Sequence, residues 1–230
     1  MSFIGVLKHL LPFLLLTACA TISAPPIDYR SGAVVETLSS SVSFSIQATD
    51  RNISGNGFLV YRRPDQLHLI VLSPFGSTMM EAFASGEHIS LLYPSSSIAY
   101  VGRIEELPDR GGLQGWSMMR WVMDADPAEN KLLSKTVELT GRLGFMEKVT
   151  YENGLIIMKT TLSGDEVHYA KYSAINGVPL ASEIEMRNAR NDRIRMTLDE
   201  PVVNEPVADE AFTPKLAGFT IHPLSAIQGL

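Results

Sequence analysis

The chain reads as a mainly β protein, an antiparallel meander with one helix set into it. Three observations carry this. Val42, Phe44, Ile46 and Ala48 alternate with Ser43, Ser45, Gln47 and Thr49, the period of two that marks a half-buried strand. Short apolar runs then recur at regular spacing, many ended by turn signals such as Asn153-Gly154 and Asn176-Gly177. One stretch, 113–124, switches to helical periodicity, and no crossover helix separates the strands before it, as a parallel sheet would require.

At 230 residues and 45% hydrophobic content the chain can bury one sizeable core, and nothing in it marks a second domain. The formal net charge of -6 lacks the basic footprint of a nucleic-acid binder.

Residues 1–18 have the layout of an export signal: Lys8 and His9, then apolar Leu10 to Leu16, then small residues. The apolar part is too short to span a bilayer. Cys19 is the only cysteine, which excludes an internal disulfide, and Leu16-Thr17-Ala18-Cys19 resembles a bacterial lipobox, cut before a cysteine that becomes acylated. Residues 19–31, with Pro25-Pro26, suit a tether from that anchor, and residues 32–230 form the folded domain. Ala20 after the cysteine, where Asp would mean retention, implies the periplasmic face of the outer membrane.

From Gly32 to Ser41 a turn or two of helix is expected from Val34, Val35 and Leu38. After strand 42–49, Asp50 to Gly57 reads as turn-rich, and 57–62 resumes as a strand. The next strand, Leu67 to Leu72, is apolar on nearly both faces. It ends in Pro74-Phe75-Gly76, a tight turn that carries a bulky aromatic where a polar residue is the norm. Strands at 78–84, 89–93 and 98–102 follow. In 113–124, Trp116, Met118, Met119, Val122 and Met123 share one side, while Trp121 falls on the polar side with Gln114, Ser117, Arg120 and Asp124. Two readings stay open for this helix: a core-packing element, or a lid walling an adaptable apolar cavity. Further strands at 136–139, 148–152, 155–162, 166–174, 180–187 and 193–198, with an edge strand or docked segment at 219–224, give roughly ten strands in all.

Catalytic patterns are missing: no Gly-x-Ser-x-Gly, His-Glu-x-x-His, phosphate-binding glycine loop or Ser-x-x-Lys occurs. His68, His88, His168 and His222 are scattered in or beside strands and read as surface or boundary residues rather than metal ligands. Glu105-Glu106, Asp124 and Asp126 read as solvated acids. No enzyme activity, cofactor or metal is expected.

The lipobox, the run Leu72-Ser73-Pro74-Phe75-Gly76-Ser77-Thr78 and the helical Ser117-Met-Met-Arg-Trp121 together resemble the LolB family of outer-membrane lipoprotein acceptors, and Asn204 to Pro206 with Phe212-Thr213-Pro214 is similar to the wider LolA/LolB group. The resemblance implies an incomplete, half-open antiparallel β-barrel with one or more helices as a lid over an apolar cavity. It implies a monomer that takes acylated lipoproteins from a periplasmic LolA-like carrier and inserts them into the outer membrane without covalent chemistry. It places Phe75, with Pro74 and Gly76, in the loop that touches outer-membrane lipids, and Trp121 at the family's helix tryptophan. Expected cavity or lid residues are Leu69, Val71, Phe83, Leu91, Trp116, Met119, Trp121, Val122 and Met123. The chain departs from the family's pattern in its short N-terminal helix and in Asp124-Ala-Asp-Pro127 after α-helical 113–124. A structural or assembly lipoprotein of the same fold, holding a protein partner at the membrane, is the alternative.

Overall fold

A computed structural model describes residues 27–48, 51–108 and 114–227, without the side chains at 48, 51 and 114–117. The signal peptide, Cys19 and most of the tether lie outside the described residues. Thirteen strands and one helix follow in order: β1 (Thr37–Ala48), β2 (Arg51–Arg62), β3 (Gln66–Leu72), β4 (Thr78–Ser85), β5 (His88–Tyr93), β6 (Ile98–Arg103), α1 (Gln114–Met123), β7 (Thr136–Thr140), β8 (Met146–Glu152), β9 (Leu155–Thr161), β10 (Glu166–Ile175), β11 (Val178–Arg187), β12 (Arg193–Val203) and β13 (Thr220–Pro223).

All thirteen belong to one sheet, ordered β13-β6-β5-β4-β3-β2-β1-β12-β11-β10-β9-β8-β7. Two antiparallel meanders, β1 to β6 and β7 to β12, are joined where β1 pairs with β12, Val42 opposite Leu198 and Phe44 opposite Met196. Only β13 runs parallel to its neighbour, β6. β7 and β13 are the two edges, so the sheet stays open. Register shifts at Ser39/Ser41, Val71/Leu72 and Thr150/Tyr151 are bulges, which bend a strand and add twist.

The curl is visible in the packing. One cluster of buried side chains joins Val42, Leu59 and Leu69 of the first meander to Val149, Tyr169, Ile184 and Met196 of the second, with Met119, Trp121 and Val122 of α1 among them. A sheet whose distant strands share one core has wrapped itself around the helix. On the opposite face of β4 to β6, Phe83, Leu92 and Ala99 are covered by Leu216 and Phe219 of the C-terminal segment. Leu91 packs with Ile89, Leu224 and Ile227 in a third cluster.

Three expectations need correction. Residues 32–41 contain no helix: Thr37 already belongs to β1, and the chain before it is held by Asn204, whose Oδ1 accepts from the amides of Glu36 and Thr37 at 2.7 and 3.2 Å. The polar stretch after Asp50 is strand rather than turn, because β1 and β2 pair along their whole length from Thr37↔Arg62 to Ala48↔Arg51. Among the described residues the strands number thirteen rather than about ten, with 220–223 supplying the last.

Candidate functional site

The concave face holds a hollow of about 600 Å³. Alternation on β1 puts Phe44 and Ile46 into its wall beside Val42, and their partners across the ladder, Met196 and Ile194 of β12, continue that wall. Leu69 and Val71 of β3, Met80 of β4, and Tyr93 and Tyr100 form the other side, while Met119 reaches in from α1. Facing Phe44 and Val42 across the ladder, β2 carries Gly55 and Gly57 instead of side chains. A methyl on Gly57 would lie 1.9 Å from the Ile70 carbonyl oxygen, and one on Gly55 would lie 2.8 Å from the Phe44 ring. The bare strand therefore lets β3 and the Phe44 ring approach where side chains would otherwise stand. Among the described residues the lining contains no Lys, Arg, Asp or Glu, and its polar groups are hydroxyls of Ser, Thr and Tyr. Such a surface suits an uncharged apolar chain and offers no acid, base or nucleophile pair for chemistry.

The hollow opens beside the β3–β4 turn, since Ser77, Thr78 and Met79 at the foot of that turn belong to its lining. The turn is braced from within. The Ser73 hydroxyl lies 2.7 Å from that of Ser77 and accepts from the amides of Phe75 and Ser77, and the Gly76 amide donates to the Ser73 carbonyl. Gly76 sits at φ +81, open to glycine at no steric cost. Held this way, the Phe75 side chain is 97% exposed.

Helix α1 is fixed at its C-terminal end by the second meander. Lys159 of β9 donates to the main-chain carbonyls of Trp121 and Asp124, both at 2.9 Å, and the Tyr169 hydroxyl donates to that of Val122 at 2.7 Å. These bonds satisfy carbonyls that a helix end leaves without partners. The Lys159 ammonium also lies 3.4 Å from the Glu147 carboxylate and 5.0 Å from the centre of the Trp121 ring, whose Nε1–H donates to the same carboxylate. Burial lowers the Lys159 pKa below that of an ordinary lysine, and Glu147 and Asp124 only partly offset it. Beyond the helix, Asp126 binds Arg63 of the β2–β3 turn and Arg142 of the β7–β8 turn, and Arg142 also reaches Asp124 at 3.3 Å. Asp124 and Asp126 are thus ion-paired struts rather than plain solvated acids. Nearby, burial raises the Tyr61 hydroxyl to about 12, so it stays protonated.

Of the residues singled out in the sequence, Leu69, Val71 and Met119 line the hollow. Val122 is fully buried, and Met123 lies with it against Tyr169 and Leu180 in a smaller recess away from the hollow. Leu91 lies on the same sheet face but is covered by Leu224 and Ile227. Phe83 points the other way. It stacks on His68 at 3.9 Å under the C-terminal segment, because its strand parity sets it opposite His68 rather than Leu69. His68 is accordingly partly buried and bonded to Glu81, a boundary residue as expected. Trp121, expected on the polar side of the helix, is only 3% exposed. The helix is embraced by the sheet on more than one side, so its polar side also meets protein. The Trp116 side chain and Cys19 lie outside the described residues. Phe44, Ile46, Met196 and the two tyrosines were not singled out, although the alternation of β1 had already placed Phe44 and Ile46 on one face.

Fold and site define a class: an open antiparallel half-barrel curled round a helix, hollow and uncharged inside, with an apolar turn at its mouth. Solved structures share the fold. A LolA superfamily protein from Nitrosomonas europaea superposes with a TM-score of 0.54 at 14% identity, over 78% of this chain and 90% of that one. A DUF1329 family protein from Desulfovibrio piger gives 0.57 at 10% identity, over 78% and 90%. A domain described as an outer membrane lipoprotein-sorting protein, from Vibrio parahaemolyticus, gives 0.51 at 7%, over 76% and 88%. No curated protein sequence matches the chain. The chain belongs to the family of outer membrane lipoprotein LolB, whose family model matches residues 37–200. That membership carries a role in lipoprotein localisation.

Proposed function

We propose that the protein takes the acyl chains of lipoproteins into the hollow behind the Phe75 turn and releases them into the outer membrane. The single observation that carries this reading is the pairing of an uncharged hollow of about 600 Å³ with a 97% exposed phenylalanine on a braced turn at its mouth. A chain of about sixteen carbons left in water costs about 12 kcal/mol, at ~0.8 kcal/mol per methylene, so a lipoprotein with two or three chains needs shelter between carrier and bilayer. Transfer then needs only a downhill series of affinities, from a periplasmic LolA-like carrier to this cavity and on to the membrane, with no covalent step and no cofactor. Phe75 is the group that meets outer-membrane lipids during release. Cys19, acylated, holds the monomer on the periplasmic face of that membrane, and replacing it leaves a soluble periplasmic domain.

The test is delivery of a purified acylated lipoprotein to liposomes by the parent protein and by Phe75→Glu. An exposed side chain contributes little to folding, so unfolding stability should stay within about 0.5 kcal/mol of the parent, while delivery falls at least tenfold. Normal delivery by the variant would overturn the role of the turn. A scaffold that only held a protein partner would deliver nothing in either form.

A further inference from the structure

Tyr93 closes β5 on the wall of the hollow, and its hydroxyl is buried with no hydrogen-bond partner among the described residues. Two other buried groups share that condition, the Nε atoms of Arg120 and Arg187. Neither residue lines the hollow, and each guanidinium is ion-paired through another nitrogen, to Asp65 and to Glu185. Folded proteins pair nearly all their buried polar groups, and an unpaired one lowers stability. An orphan hydroxyl on a cavity wall therefore points to a partner that arrives with the ligand. Burial raises the phenol above its usual range, so it stays protonated and has a proton to donate.

The ring is held in place. Tyr100 meets it edge-on at 5.9 Å, and the Ser96 hydroxyl donates to the Tyr93 carbonyl at 3.3 Å. β4 leaves the β3–β4 turn at Thr78 and pairs Glu81 with Leu92, so Tyr93 ends β5 on the rim that carries this turn. Ser77 and Thr78 from that turn, with Ser95 and Ser96 from the β5–β6 turn, add hydroxyls to the same edge of the lining. Away from this edge, Leu69, Met119 and Met196 offer a ligand no donor.

We propose that the Tyr93 hydroxyl donates to the carbonyl oxygen at the root of a sheltered acyl chain, an ester or amide, and so holds the root at the mouth with the tail directed inward. The inference rests on the proposed function and names the atom by which the hollow tells an acyl chain from a bare alkyl one. An alkyl chain brings no carbonyl for this proton and leaves the hydroxyl unpaired. Membrane phospholipids carry the same ester. The lining has no Lys or Arg among the described residues, so a phosphate finds no counter-charge there, which favours a lipidated protein as the source.

The test titrates the mature parent and Tyr93→Phe with a peptide whose serine carries a palmitoyl ester, and with the same peptide carrying a hexadecyl ether, which lacks the carbonyl. The parent should favour the ester by about three- to tenfold, the worth of one net hydrogen bond. Tyr93→Phe should lose that preference by weakening ester binding alone, with a urea midpoint no lower than the parent's. An isotope-labelled ester carbonyl should absorb at lower infrared frequency when bound to the parent than when bound to Tyr93→Phe. Equal binding of both probes by the parent, or a preference that survives in Tyr93→Phe, overturns the role of Tyr93 while acyl shelter stands. Parallel weakening of both probes assigns Tyr93 to packing and overturns it too. Palmitoyl lysophosphatidylcholine should bind more weakly than the peptide ester, and equal binding overturns the choice of lipidated protein over phospholipid. A well-folded parent that binds neither peptide overturns the proposed function and this inference together.

Discussion

Lys159 and Glu147 form an ion pair almost wholly out of water, 3.4 Å apart with side chains 1% and 3% exposed, at the point where α1 meets the second meander. The pair is completed by the Trp121 Nε1–H on the carboxylate and by the Trp121 and Asp124 carbonyls on the ammonium. Removing one partner of such a pair strands a buried charge, which costs more than the pair itself contributes. Lys159→Met should therefore lower unfolding stability by about 3–5 kcal/mol in urea titrations. Adding Glu147→Gln, which removes the stranded charge and keeps an acceptor for Trp121, should recover at least about 2 kcal/mol of that loss. Equal destabilisation of the single and double variants would assign the effect to lost helix-end hydrogen bonds instead.

The two glycines of β2 predict a graded pair of variants. Gly57→Ala must displace the β3 backbone, because its new methyl meets the Ile70 carbonyl oxygen at 1.9 Å, and should cost about 1–3 kcal/mol or more. Gly55→Ala meets only the Phe44 ring, which can swing into the hollow. It should cost less and should reduce acyl binding more than Gly57→Ala does, as read by lipopeptide titration alongside urea midpoints.

These glycines also explain what the sequence left hidden. The strands with clean alternation, such as Val42 to Ala48 and Leu67 to Val71, were legible because a half-buried sheet imposes a period of two. β2 was legible only in its second half, 57–62; its first half was not, because inward positions 55 and 57 hold glycine to admit Phe44 and the β3 backbone, while the positions between and before them hold Asn and Ser. The result reads as a turn. Phe75 stood out in sequence because apolar residues are rare at turn tips, and the structure exposes it. Trp121 was misplaced because a helical projection assumes one wet side, whereas a curled sheet surrounds this helix. Phe83 was misassigned because a strand apolar on both faces conceals which one lines the hollow. Lys159 and Glu147 could not have been paired from sequence, since no local pattern links β8 and β9 residues to a helix end.

His68 makes stability depend on pH. Burial lowers its pKa below 6.5, and the Glu81 carboxylate only partly opposes this. The folded state thus takes up this proton less readily than the unfolded chain. The associated stability is complete above pH 6.5 and is lost as pH falls from there through the lowered folded value. Urea midpoints should decline over that window, and His68→Gln should flatten the decline. An unchanged slope would mean that other groups set it.

Filling the hollow should separate binding from folding. Val71→Trp projects a large ring into a space of about 600 Å³ and should leave stability within about 1 kcal/mol of the parent, because the new side chain enters a void rather than a packed core. Affinity for an acylated lipopeptide should drop at least tenfold in the same preparation. Retained affinity would place the chain elsewhere.

The most direct measurement is photocrosslinking with a triacylated lipopeptide that carries a diazirine near the end of one acyl chain, followed by mass spectrometric mapping of the attached residues. Acyl shelter within the half-barrel predicts adducts on Phe44, Val71 and Met196, deep in the concave face and absent with the deacylated peptide. Adducts confined to the convex surface, or equal labelling without the acyl chains, would contradict it.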